Sequence, residues 1–485
     1  MSNIPIVQGV TVDHGKSNSD PYQNPMAVPM VPAGGYDYGQ PAQAQPQQQQ
    51  AAGNGMQHAK QPNQFRDVIW GILFIVHLIP VALYAIYSAS SQEGDGSGIS
   101  VAPHLYWISI VALVSVGLSS LSLDGMMRFA DTLVKAALIF SVISSLLMAI
   151  YCVMMGQTFF AVLGFMGFAV MICYAKMVWH RLPFAAANLR TALTAVKLNM
   201  GLVLVAYVFM ALGFAWSILF MVGFGSGLQQ SSYPVIFAFF VSFYWVNQVL
   251  VYTVHVICAG VVATWWFAPV EASSCFSSAL QDSSIRACTY SFGSICFGAF
   301  LVAIVKALRM TLEYARQQED AQILVCILDC ILSCIQGMIE YLNKWAYIYV
   351  GMYGFGYLDA GREVVNLFQA RGWNVIITDD LVDNVLSMMS VGIGIVAGVV
   401  GLLVGKGTLA TEGVENPGII AFVIGFIIGM VLSNIVLGVV GSAVNTVIVC
   451  YCEAPAEFAA NHPQLSQEMR DAWVSGWPEL NLSGA

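Results

Sequence analysis

The stretch SFYWVNQVLVYTVHVICAG, residues 242–260, gathers the side chains best suited to chemistry in an otherwise apolar run. Trp245, Tyr252 and His255 fall within one helix length, with Asn247 and Gln248 beside them. Tyr244, Gln248, Tyr252 and His255 recur at helical spacing, so aromatic faces and polar tips share one side. Ring faces attract cations by about 0.5 to 2 kcal/mol each, and a cation that cannot donate hydrogen bonds needs such faces, with a carboxylate at a distance. Trp216 in the preceding run and Tyr347 in KWAYIYVGMYG are further aromatic candidates. His77 and His255 are the histidines inside the apolar runs, and an imidazole with an unperturbed pKa of about 6.5 is the side chain that proton coupling would use. The competing role for polar groups at such depth is interhelical packing.

No catalytic, cofactor-binding or metal-binding residue is assigned, because no carboxylate pair, nucleophile motif or ligand triad stands at interpretable spacing. Cys326, Cys330 and Cys334 repeat every four residues beside Asp329, a pattern that suits small apolar packing better than zinc. Gly405, Lys406, Gly407 and Thr408 imitate part of a phosphate loop, but Lys406 is followed by glycine and the preceding glycine spacing is wrong.

These residues must be positioned by membrane helices. Of 485 residues, 58% are hydrophobic and only 9% charged, against roughly 25% charged in soluble domains. The class is an all-α, polytopic helical membrane protein. Its formal charge of −9 leaves no basic stripe for nucleic acid. Residues 1–66 are rich in Pro, Gln and Gly and are expected to form a disordered cytosolic tail. A transmembrane domain is expected over 67–455, followed by a short cytosolic tail over 456–485.

Apolar runs lie at about 68–88, 105–123, 133–155, 158–179, 198–222, 233–264, 288–308, 322–341, 344–358, 383–404 and 418–449, giving about ten transmembrane helices. The connection KMVWHRLPFAAANLRTALTAVK carries Lys176, Arg181, Arg190 and Lys197 without an acid, whereas SQEGDGSG carries only Glu93 and Asp95. The positive-inside rule therefore places the N-terminus in the cytosol. Counting onward puts Lys306, Arg309 and Arg316 near the outside, against that rule, and the short run 344–358 is either re-entrant or interfacial. The sequence LDAGREVVNLFQARGW suits a helix lying along the interface.

Small residues mark the expected contacts between spans. Ser294 and Gly298, then Ala299, Ala303 and Ala307, line one helix on two sides, and Gly394/Gly398, Gly401/Gly405 and Gly425/Gly429 repeat the device. The segment TYSFGSICFGAFLVAIVKALR, together with IEYLNKWAYIYVGMYGFGYLDAGREVVNLFQARGW and the terminal EFAANHPQLSQEMRDAW, resembles the choline transporter-like family, in particular its fungal pH-nine-sensitive protein branch. The resemblance runs from about Asp67 to that terminal segment. It implies a multi-pass plasma-membrane transporter embedded in the lipid bilayer, whose substrate is choline or a related small organic cation such as ethanolamine. A non-transporting sensor or scaffold, and a membrane enzyme, are the readings of other classes.

Overall fold

The computed structural model describes residues 63–91, 101–227, 233–316, 322–371, 377–411 and 414–477; most of the N-terminal tail and the last eight residues lie outside them. The described chain is α-helical, without a strand. In chain order the helices are α1 (Val68–Ser91), α2 (Val101–Met154), α3 (Thr158–Val178), α4 (Leu182–Leu198), α5 (Gly201–Gly227), α6 (Tyr233–Phe267) and α7 (Ser278–Cys288). They continue as α8 (Phe292–Arg316), α9 (Gln322–Tyr353), α10 (Tyr357–Arg371), α11 (Ile377–Thr411), α12 (Pro417–Glu453), α13 (Pro455–Asn461) and α14 (Pro463–Gly476).

Among the described residues seven helices are long and apolar enough to cross a bilayer. Two differences from the sequence reading explain that number. Runs 105–123 and 133–155 are joined in α2 across a bend at Phe129 (φ −117°, ψ 23°). The joining residues LDGMMRFAD contain no proline, so nothing in them forces the helix to stop. At that bend Asp124 pairs with Lys197, and Asp131 with Arg190, both on α4. Likewise 322–341 and 344–358 are parts of one helix, α9, which continues to Tyr353 and stops where Gly354 adopts φ +68°. The short run is therefore the last turns of α9 rather than a re-entrant segment. The described residues thus give seven span-length apolar helices where the sequence suggests about ten; α1 has a shorter apolar stretch, Val68–Tyr84, and α9 is more polar.

α6 is the central helix and packs on α5, α8, α9 and α12. One end of the bundle collects the short helices. There the start of α1 meets the start of α8 through the Arg66 N–H donating to the Tyr290 carbonyl at 2.9 Å. The Asp67 carboxylate accepts from the Ser294 hydroxyl at 2.6 Å and from the Tyr357 N–H, at the start of α10, at 2.8 Å. α10 is the helix expected along the interface; it buries Tyr357, Ala360, Val364 and Phe368 at helical spacing, and Phe368 meets Trp345 of α9 edge-on at 5.0 Å.

The basic connection that the sequence presents between spans is itself a helix, α4, buried along most of its length. α14 covers it: Phe184 packs edge-on against Trp473 and Trp477, and Arg190 reaches Glu468. Residues 456–477 are thus a docked cap. His462 stacks on Trp265 at 4.0 Å and donates from Nε2 to the Trp265 carbonyl at 3.0 Å, and burial lowers its pKa below the ordinary 6.5.

α11 and α12 form the closest helix pair, as the glycine spacing predicts. A Cβ on Gly425 would stand 2.6 Å from the Ala397 carbonyl oxygen and 3.1 Å from the Gly401 Cα, and one on Gly401 would stand 2.5 Å from the Ala421 oxygen. Backbones can approach so closely only where side chains are missing. Trp107 of α2 lies on Gly405, and Ser141, beyond the bend, donates to Asn384 at 3.0 Å, so both arms of α2 rest on α11.

Candidate functional site

The candidate residues on α6 divide between two clusters. Trp245 is buried among α1 and α8, stacked on His77 at 4.5 Å, edge-on to Phe74 at 5.2 Å and 4.7 Å from Phe300. Its Nε1 donates to the Cys296 carbonyl at 2.9 Å. His77 donates from Nδ1 to the Phe74 carbonyl at 2.6 Å, which leaves Nε2 to accept from the Ser242 hydroxyl at 3.2 Å.

Two helical turns along α6, Tyr252 meets Tyr347 of α9 at 4.6 Å, and Tyr347 meets Tyr357 of α10 at 5.8 Å. The Tyr347 hydroxyl donates to the Ile295 carbonyl at 2.9 Å. Asn343, fully buried, donates to the Gly298 carbonyl at 2.9 Å and accepts from the Tyr357 hydroxyl, so one amide ties α8, α9 and α10. Gly298 is required there, because a Cβ would stand 2.4 Å from the Tyr347 hydroxyl. The small-residue stripe of α8 is thus what admits the tyrosines.

His255 sits one turn beyond Tyr252. A carbonyl can only accept, so Nε2 donates to the Lys344 carbonyl at 2.8 Å and Nδ1 accepts from the Ser442 hydroxyl at 2.6 Å. Both nitrogens are engaged, and His255 pins α6 to α9 and α12. Gln248 is half-buried between Trp245 and Tyr252 on the same face. Asn247 turns elsewhere: its Nδ2 donates to the Phe243 carbonyl at 2.9 Å and its Oδ1 lies beside Gly213 of α5. Trp216 of α5 is buried, and its Nε1 meets no acceptor among the described residues.

A polar seam between α8 and α9 completes the surroundings. Lys306 pairs with Glu340 at 2.9 Å, Gln336 donates to Glu340 at 3.0 Å, and Arg309 donates to Gln336 at 2.8 Å and to Asp329 at 2.7 Å. Asp329, Gln336, Glu340, Asn343 and Tyr347 repeat at 7, 4, 3 and 4 residues, one face of α9. That spacing was available in the sequence, but dividing α9 into two runs hid it. The seam also accounts for cations that break the positive-inside count: Lys306 and Arg309 are neutralised by acids on the next helix. Cys330 and Cys334 lie on the exposed flank of α9, so the small-residue packing expected of them does not occur; the Cys326 side chain lies outside the described residues.

A separate cavity of about 400 Å³ lies between α2 and α3, lined by Val142, Ile172, Ala175, Lys176 and Trp179, and shares no residue with the α6 clusters.

Residues 160–456, more than half of the chain, match the family described as plasma-membrane choline transporter. The chain belongs to the choline transporter-like family. Protein PNS1 of Mycosarcoma maydis is 26% identical over 453 residues, covering 84% of this chain and 83% of its own. A CTL-like protein of Dictyostelium discoideum is 25% identical over 434 residues, covering 84% and 75%. Protein PNS1 of Cryptococcus neoformans is 25% identical over 474 residues, covering 89% and 86%. The resemblance read from the sequence is borne out, and choline transporter-like membership joins the helical architecture in giving a multi-pass membrane protein with a transporter-like role.

Proposed function

We propose that this family member carries choline, or a closely related organic cation, across the plasma membrane, and that α6, α8 and α9 enclose the site. The observation that carries the reading is the Tyr252–Tyr347 ring pair, 4.6 Å apart, with Glu340 two turns from Tyr347 along the same face of α9. Ring faces and a nearby carboxylate answer a cation that offers no hydrogen-bond donor. Trp245 and Gln248 extend the α6 face toward α1. His255 holds α6 in register, while Asn247 and Trp216 support it from the α5 side.

The tyrosine rings touch, so a substrate must part them. Parting them requires the Asn343 and Tyr347 bonds to the Gly298 and Ile295 carbonyls to be exchanged as the helices rearrange. The basic residues of α4 and its flanks, Lys176 and Arg181 among them, support placing the short-helix end on the cytosolic side.

The test is labelled choline flux into proteoliposomes containing the full chain, with unlabelled choline as competitor and a Trp245→Ala, Tyr252→Ala double variant alongside. Saturable flux that the competitor suppresses and the variant lacks is expected. No flux through folded wild-type protein would reject choline as the substrate, and a change in the mass of the solute would reveal an enzyme.

A further inference from the structure

The α8–α9 seam contains two ion pairs of different kinds. Arg309 is fixed by a fork, with Nε at 2.7 Å and the second nitrogen at 3.4 Å from the two Asp329 oxygens, and a third contact to Gln336. Lys306 reaches Glu340 alone, at 2.9 Å, through a single ammonium on a flexible stem. Both bonds to Glu340, from Lys306 and from Gln336, fall on Oε1, and among the described residues Oε2 accepts none. The side chains of Lys306 and Glu340 are 23% and 37% exposed, so neither charge is fully enclosed by protein. Glu340 lies one turn from Asn343 and two from Tyr347 on the same face of α9.

We infer that Glu340 is the counter-ion of the transported cation, and that Lys306 holds its carboxylate when the carrier is empty. The inference rests on the cation-transport reading above. An incoming monovalent cation takes the place of one ammonium, so the charge around Glu340 is the same in the loaded and empty states. Tyr252 and Tyr347 supply the ring faces on which the methyl groups of a quaternary ammonium rest. Lys306 is thus a built-in competitor. It sets the affinity and keeps the empty carboxylate from trapping an inorganic cation.

The test compares labelled choline uptake by wild type, Glu340→Gln, Lys306→Met and the double variant carrying both, each in proteoliposomes and each checked for a thermal transition. Glu340→Gln is expected to raise the half-saturation concentration by about tenfold or more. Lys306→Met is expected to lower it by about threefold or more, because the competitor is gone. The double variant, in which neither charge is left unpaired, is expected to fold and to resemble Glu340→Gln. Unchanged half-saturation in a folded Glu340→Gln or double variant would overturn the assignment while leaving choline transport intact. So would a Lys306→Met variant weakened as much as Glu340→Gln, the mark of a purely structural pair. A wild-type protein that carries no choline would end both readings together.

Discussion

The α11–α12 contact and the α6–α8–α9 contact both use close glycine approaches but differ in what else fills them. Between α11 and α12, glycines bring backbone against backbone, with Gly425 and Gly401 leaving no room for a Cβ. Between α6 and α9, Gly260 and Gly351 likewise leave no room for a Cβ, but around Tyr252 and Glu340 rings, an asparagine and ion pairs fill the interface with α8, and directional bonds hold it. In lipid the hydrophobic effect does not draw helices together, so the first contact depends mainly on fit and the second on fit and partners together. Fit has one solution. Partners can be exchanged, which is why the proposed cation site is placed in the second region.

The sharpest way to break this comparison is to add a single methyl group. Gly425→Ala is expected to cost roughly 3 kcal/mol by overpacking, whereas Gly438→Ala on the same helix, with nothing within 4 Å of its added Cβ, is expected to be neutral or slightly stabilising. Thermal melting of both variants in one detergent checks it, and equal melting would mean that α11 and α12 are loosely packed. Next in size is Asn343→Leu, which removes the bond to the Gly298 carbonyl and takes the acceptor from the Tyr357 hydroxyl; a loss of about 2 kcal/mol is expected. Tyr347→Phe removes one hydrogen bond, to Ile295, and keeps the ring, so about 1 kcal/mol of stability should go while choline flux persists.

The smallest effect lies at the cap, outside both regions. Burial holds the His462 pKa below 6.5, so the folded state binds fewer protons there than the unfolded chain. Stability from this residue is complete above 6.5 and declines as pH falls from there through the folded pKa. Melting temperature plotted against pH should show this acid-side decline in wild type and a shallower one in His462→Gln; identical slopes would remove His462 from the account.

Much of this was legible in local spacing. The α11–α12 glycines, the small stripe of α8, the buried face of α10 and the polar face of α6 follow directly from residues three and four apart. What escaped depended on tertiary partners. α4 reads as a basic connection because Arg190 and Lys197 dominate it, yet Asp124, Asp131 and Glu468 from distant segments neutralise them and α14 covers the rest. The continuity of α9 was hidden by Glu340, Asn343 and Lys344, which look like a break in an apolar run until α8 supplies Lys306 and Gly298, and α11 supplies Asp383. On α6, periodicity correctly put Tyr252 and His255 near one another. It could not show that Asn247 turns to α5 or that both His255 nitrogens are spent on neighbouring helices.

The most direct test of the central claim is equilibrium binding of labelled choline to the purified, folded full-length protein, measured for wild type, Tyr252→Phe and Tyr252→Ala. If ring faces between α6 and α9 hold the cation, Tyr252→Phe should bind within about threefold of wild type and Tyr252→Ala at least about tenfold more weakly. Equal binding by all three proteins, or none by wild type, would contradict the assignment of this face as the cation site.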